Sequence, residues 1–326
     1  MEVVLLYFLI SVEGTFTVKC FRFNFLTLAC YLSHNVERCS QNSETCYFKG
    51  LLRVSGPDVN TFLQGLITND INHLGSGKNS IYAAFLNIKG RIIYETIIYK
   101  TKEENSFFIE CDSRGIPELE KHLKVFKVRK KIDIMNISDE LKIWKLLPKN
   151  LNLQTSDVYK DPRLSDLGVR ILVPSSSNFV ASLENCNIAS SSDISYRQFR
   201  YRLGIGEGAD ELPPGKCFPH ETNCDYLHGI SFHKGCYIGQ EVTSRTQHTG
   251  VVRKRLMPLE FMEDVGDRFE SPYGIALLRI SETLEAKRLE INGIPILHTI
   301  DKFSPLGCKT LGKNSKPEEG RSTVRS

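Results

Sequence analysis

Phe232-His233-Lys234-Gly235-Cys236-Tyr237-Ile238-Gly239-Gln240-Glu241 holds the densest chemistry in this 326-residue chain. Lys234 stands close before Cys236, and a neighbouring ammonium lowers a thiol's pKa and favours the nucleophilic thiolate. Gly235 and Gly239 free the backbone to turn tightly or to come close to a ligand. Gln240 and Glu241 offer polar groups to a heterocycle or to the start of a helix. On these residues alone a second reading stays open, in which Cys236 is a small buried hydrophobe in a strand-turn.

On the C-terminal side the pattern runs on through Val242-Thr243-Ser244-Arg245-Thr246 and Gly250-Val251-Val252-Arg253-Lys254-Arg255-Leu256. On the N-terminal side, 204–215 is a loop rich in Gly and Pro. Before it, Ser190-Ser191-Ser192 leads into a helix on which Tyr196, Phe199 and Leu203 share a face, punctuated by Arg197, Arg200 and Arg202. Ordered sequence begins near Tyr47, and Leu51, Leu52 and Val54 predict a short strand. Ser55-Gly56-Pro57-Asp58 then opens a helix, with Pro57 in the first turn where a missing N–H is tolerated. Phe62, Leu63, Leu66 and Ile67 are the apolar stripe of that helix. The β-rich runs 81–86 and 91–99 flank Asn87-Ile88-Lys89-Gly90, the pattern of a hairpin in which Gly90 takes a positive φ. A strand over 107–110, a helix from Ile116 with Leu119, Leu123 and Phe126 on one face, and strands over 132–137 and 141–147 follow. The stretch 151–187 is looser and contains Asp161-Pro162-Arg163. This order predicts an α+β domain with helices on one face of an antiparallel sheet.

The run from Lys234 to Glu241 resembles the signature of the YgfZ-type family, relatives of the glycine-cleavage T-protein, and its details are similar to the eukaryotic mitochondrial branch. The likeness takes in 242–246 and 250–256, Arg202-Leu203-Gly204-Ile205, Leu212-Pro213-Pro214-Gly215 and Pro219-His220-Glu221-Thr222-Asn223. It also takes in Phe62-Leu63-Gln64-Gly65-Leu66-Ile67-Thr68-Asn69-Asp70 and Phe85-Leu86-Asn87-Ile88-Lys89-Gly90-Arg91, so that it covers 51–259. The resemblance implies an aminomethyltransferase (T-protein)-like fold with ferredoxin-like halves around a central folate-type pocket. It implies assembly of mitochondrial 4Fe–4S proteins, such as aconitase and radical-SAM enzymes including lipoyl synthase, in the matrix. The implied partners are A-type iron–sulfur carrier proteins and client apo-proteins. It carries over Cys236 and Lys234 as the chemical pair, with Cys236 ligating a transient iron–sulfur cluster shared with a partner. Around tetrahydrofolate it implies Asn69, Asp70, Arg202, Glu221, Tyr237, Gly239, Gln240, Glu241 and Arg245.

The alternative within the same superfamily is a tetrahydrofolate-dependent aminomethyltransferase-type one-carbon enzyme, with Asp70 as its acid or base. Against it, the cysteine motif stands where an aminomethyltransferase has an acidic or aromatic pattern. The family's C-terminal β-barrel is expected in shortened form over 259–308, with Phe269-Glu270-Ser271-Pro272-Tyr273-Gly274 passing over part of it and 274–280 still reading as a strand.

Composition fits this picture: 41% hydrophobic and 25% charged residues are globular values. A net charge of +4 does not by itself imply nucleic acid. The ten cysteines are irregularly spaced in a chain too large to depend on disulfide staples, which fits a reducing compartment. Residues 1–46 are expected to be a targeting or poorly ordered segment: 3–10 is an apolar run too short to span a membrane, and 15–36 lacks acidic residues. The remaining divisions are a folate-binding-type domain over 47–258, the short β element over 259–308 and a polar, disordered tail over 309–326. Cys217, His220, His233 and Cys236 offer a rival Cys2His2 zinc spacing. The basic cluster Lys121, Lys124, Lys127, Arg129, Lys130 and Lys131 reads as a solvated helix face, with no aromatic interleaving for RNA. No nucleic-acid or membrane partner is expected.

Overall fold

A computed structural model of the protein describes residues 6–12, 15–20, 43–45, 49–146, 157–177, 179, 195–262, 272–286, 288–291 and 294–298. The first sheet is antiparallel and contains β4 (Lys49–Ser55), β5 (Ser80–Leu86), β6 (Ile92–Lys100), β7 (Ser106–Asp112) and β8 (Asp133–Asn136), in the order β5-β6-β7-β4-β8. Successive side chains of a strand point to opposite faces, and here both faces are covered. Leu52, Val54, Ala83, Phe85, Ile98 and Ile109 pack under α1 (Val59–Gln64) and α2 (Ile116–Lys127) through Val59, Phe62, Leu63, Ile116, Leu119 and Leu123. The alternate residues Leu51, Tyr82, Ala84, Leu86, Ile97 and Tyr99 face Ile143, Leu172, Tyr196, Ile205 and Leu227. Two departures from the sequence pattern appear here. α1 stops at Gly65, so Leu66 and Ile67 are buried from the loop that follows it. Phe126, expected on the buried stripe, lies in the last turn of α2 and is 38% exposed.

The second sheet, in the order β10-β11-β9-β3, consists of β3 (Ser43–Thr45), β9 (Leu141–Leu146), β10 (Val158–Lys160) and β11 (Val169–Pro174). The looser stretch of the sequence thus contains two strands. β10 is only three residues long and turns at once into Asp161-Pro162-Arg163, which hides its periodicity.

Between the first two sheets lies a cluster of buried charges contributed by β4, β6, β7, β9 and β11 and by α3 (Tyr196–Arg202) and α4 (Gly208–Glu211). Lys49 pairs with Glu95, Arg170 with Glu110, Lys145 with Glu207 at 2.8 Å, Arg163 with Asp161 at 2.7 Å and Arg200 with Glu211 at 2.8 Å. Arg170 also reaches Asp161 at 3.0 Å and Glu207 at 3.1 Å. Cations and carboxylates balance one for one, the condition under which buried charge is tolerated.

The third sheet is six-stranded, in the order β1-β2-β14-β15-β12-β13, and its end strands β1 and β13 lie close to each other. Its strands are β1 (Leu6–Val12), β2 (Thr15–Cys20), β12 (Lys254–Phe261), β13 (Tyr273–Arg279), β14 (Arg288–Ile291) and β15 (Ile294–His298). The C-terminal part alone would leave β14 as a bare edge with unpaired backbone groups. β2 fills that edge in parallel register, Arg288 opposite Thr15 and Ile291 opposite Val18, and β1 pairs antiparallel with β2. Strands from 6–12 and 15–20, in the N-terminal segment, thus share one sheet with the C-terminal β element. The remaining helices are α5 (Gln240–Thr249) and α6 (Ile280–Glu285). The tail expected over 309–326 lies outside the described residues. Among the described residues no helix is long and apolar enough to cross a membrane.

Candidate functional site

The loop that carries Cys236 is stitched along the segment leaving α1. Thr68 Oγ1 donates to Gly229 O at 2.6 Å, Ser231 N to Thr68 O at 3.1 Å, and Ile238 N to Gly65 O at 3.2 Å. Between these anchors the Lys234 ammonium donates to three carbonyls, Gln64 O at 2.6 Å, Ile67 O at 2.7 Å and Asn69 O at 2.8 Å. A cation among the carbonyls that follow a helix C-terminus is favourably placed. Its ring neighbour is Tyr237, whose centroid lies 4.9 Å from Nζ. Burial pulls the Lys234 pKa down to about 8, opposed by the nearby Asp70 carboxylate. An ammonium has three protons, and here each has a carbonyl. Lys234 is therefore a clamp on the loop after α1.

Cys236 sits between the Lys234 clamp and the Ile238 anchor and is exposed, whereas Cys111, Cys217 and Cys224 are buried. Burial pushes the Cys111 and Cys224 thiols up, out of reach of thiolate chemistry at neutral pH. Of these four cysteines Cys236 has the accessible thiol, and the buried-hydrophobe reading of it is set aside.

Gly239 opens α5 with φ +78°, and Gly90 closes the β5–β6 hairpin with φ +75°. The two turns meet backbone to backbone. A Cβ at Gly239 would stand 2.3 Å from Asn87 O, and one at Gly90 would stand 3.0 Å from Gly239 O. Gly235 behaves differently: a Cβ there would meet nothing within 4 Å. Of the two glycines flanking Cys236 in the motif, only Gly239 is required by the fold.

The other residues named from the sequence divide into separate groups. Asn69 and Asp70 lie with Lys234 at the end of α1. Asn69 is buried, donating through Nδ2 to Tyr82 O at 2.7 Å and His228 O at 2.8 Å and accepting from Asp70 N at 2.8 Å. Asp70 caps the turn after it, accepting from Asn72 N at 2.9 Å and Gln64 Nε2 at 3.0 Å. Burial raises its carboxyl, but these hydrogen bonds outweigh that and hold it below its ordinary range. Tyr237, Gly239 and Gln240 form the start of α5, where Gln240 Oε1 accepts from Tyr237 N at 3.0 Å and burial pushes the Tyr237 phenol up to about 12. Glu241 and Arg245 pair one turn apart on the exposed side of α5. Glu221 and Arg202 belong to neither group. Glu221 caps its own turn by accepting from Phe218 N at 3.0 Å, and its carbonyl accepts from Leu256 N of β12. The Arg202 guanidinium lies 5.3 Å from the Tyr273 ring of β13.

The zinc alternative is not assembled: among the described residues no group of three or more His, Cys, Asp or Glu could hold a metal ion. Cys217 is buried while Cys236 is exposed. Gln64 was missed in the sequence, although it braces Asp70 and receives Ile71 N at 3.0 Å. Its place in the run Phe62 to Asp70, where polar residues interrupt an apolar stripe, was the available signal. Lys49, Glu95, Glu110 and Glu207 of the buried cluster were missed too, and no local spacing marks them.

No family model matches the chain. It is 36% identical over 255 residues to the human iron–sulfur cluster assembly factor IBA57, mitochondrial, an alignment that covers 72% of this chain and 70% of that protein. Identity to the mouse protein of the same name is 38% over 234 residues, covering 65% of this chain and 64% of the relative. The Dictyostelium discoideum homologue is 35% identical over 246 residues, and the chain spans 60% of its length. The fold is similar to the crystal structure of the glycine cleavage system aminomethyltransferase T from Bartonella henselae, with a TM-score of 0.55 at 13% identity over 69% of this chain and 68% of that one.

Proposed function

We infer the role of this chain from one premise: it belongs to the family of mitochondrial iron–sulfur cluster assembly factors that includes human IBA57. Its function is to assist maturation of 4Fe–4S proteins in the mitochondrial matrix, aconitase and the radical-SAM enzymes among them. The cluster is cargo, received with an A-type carrier protein and passed toward client apo-proteins. The observation that carries this reading is Cys236, exposed on a loop fixed on both sides, while Cys111, Cys217 and Cys224 are buried. A stable cluster takes several cysteine ligands, so one thiolate suits a shared, transient cluster whose other ligands the partner supplies. The scaffold's part is positional, since Lys234 and the Ile238 anchor hold the loop and leave the thiol in solvent.

In this reading the order β8-β4-β7-β6 around α1 and α2 is a ferredoxin-like half with β5 added at its edge. The likeness to an aminomethyltransferase is one of fold and does not bring that activity with it. Several of the residues assigned to tetrahydrofolate also have structural tasks. Both Asn69 amide protons are spent on carbonyls, and Gln240, Asp70 and Glu221 each already accept a backbone N–H. These bonds serve the scaffold, and no step is assigned to folate. In cells depleted of the endogenous factor, wild-type chain should restore aconitase activity and protein lipoylation. Cys236→Ala should accumulate as folded protein without restoring them, and full restoration by that variant would end the thiol reading.

A further inference from the structure

We propose that the tip of the β5–β6 hairpin, Ile88 with Lys89, is a docking finger for the carrier that brings the cluster to Cys236, and that it inserts into an apolar pocket with an acidic rim. The inference rests on the reading of Cys236 given above. Ile88 is 87% exposed, the highest value among the large hydrophobic residues described. A turn tip is ordinarily polar, and an aliphatic side chain fully in water there contributes nothing to the fold.

The tip is rigid. Asn87 Oδ1 accepts from Lys89 N at 2.9 Å and Arg91 N at 3.0 Å, and Asn87 N donates to Arg91 O at 2.9 Å. A preformed element loses little conformational freedom on binding. It is also placed beside the thiol, because Asn87 and Gly90 touch Gly239. Cys236 is three residues from Gly239, so chain geometry keeps the two Cα atoms within about 11 Å.

The surrounding charge sets the partner's chemistry. Lys89 and Lys216 are exposed, and Arg91 is held over the Phe218 ring at 4.3 Å while donating to Lys216 O. No carboxylate among the described residues forms an ion pair with these three cations. The nearest exposed acid of α5, Glu241, is paired with Arg245. Phe232, partly exposed, adds an apolar side chain to the loop that carries the thiol. An aliphatic anchor near cations that have no carboxylate partner among the described residues matches an acidic partner, the anchor supplying affinity and the cations steering and register.

The test is anaerobic titration of the full chain with a recombinant A-type carrier holding a 2Fe–2S cluster, reading affinity by calorimetry and cluster by visible absorbance. Ile88→Asp should bind at least about tenfold more weakly, and Lys89→Glu should weaken binding severalfold with a shallower salt dependence. At saturating carrier both variants should still form the shared cluster, because the thiol is intact. Wild-type affinity in both variants would overturn the finger while leaving the thiol reading standing. A shared cluster on Cys236→Ala would overturn the thiol reading, and no carrier binding by wild type would remove both. Thermal unfolding of each variant separates lost docking from lost folding, and Lys89→Glu carries the test if Ile88→Asp fails to fold.

Discussion

The interface between the first two sheets and the loop around Cys236 are both crowded with polar groups, and they treat them in opposite ways. Between the sheets every cation of the cluster has a carboxylate, and both partners are out of water. On the loop, hydrogen bonds are spent on the flanks, at Lys234 and Ile238, and the thiol between them is left exposed. Charge density and hydrogen bonding therefore do not single out Cys236, the thiol proposed above as the cluster ligand. What sets it apart is a fixed loop that leaves it without a structural task.

The largest effect should come from the buried side of the comparison. Arg170→Met would leave Glu110 and Asp161 short of a cation, and urea unfolding should show a loss of about 3–5 kcal/mol. Burial alone would raise Glu110, Asp161 and Glu207, but Arg170, Arg163 and Lys145 outweigh it and hold all three carboxyls below their ordinary range. Depressed carboxyls contribute stability above the unfolded-chain values and lose it as pH falls through the folded ones, so wild-type stability should drop steadily below about pH 4. A flat acid profile would mean that the ion pairs do not hold the sheets together.

The paired glycines of the motif should separate next. Gly239→Ala places a Cβ against Asn87 O in a left-handed backbone and should cost about 2–4 kcal/mol, whereas Gly235→Ala should stay within about 0.5 kcal/mol. Equal losses at the two positions would show that the hairpin does not lock the start of α5. Lys234→Met should be milder, about 1–3 kcal/mol for the carbonyls left without a donor. The alkylation rate of Cys236 in that variant should stay close to wild type, and a large fall would return Lys234 to the role of thiol activator.

The hairpin was legible because Asn87 and Gly90 carry a turn's chemistry within four residues, and α2 because Ile116, Leu119 and Leu123 recur at a helical period. Other features had no local trace. β2 pairs with β14 across most of the chain, so nothing near Thr15 announces Arg288. Gly235 and Gly239 look alike in sequence, and only the approach of Asn87 from another hairpin tells them apart. For the same reason the sequence shows Lys234 only as a neighbour of Cys236, and the fold alone shows its acceptors at the end of α1. The motif from Lys234 to Glu241 pointed to the exposed thiol, and the tertiary fold explains why it is exposed.

The measurement that bears most directly on this account is isolation, without oxygen, of the complex between the chain and a cluster-loaded A-type carrier, followed by its absorption and circular dichroism spectra. The account predicts cluster bands that travel with the wild-type complex and disappear with Cys236→Ala. The same bands on the Cys236→Ala complex would contradict it.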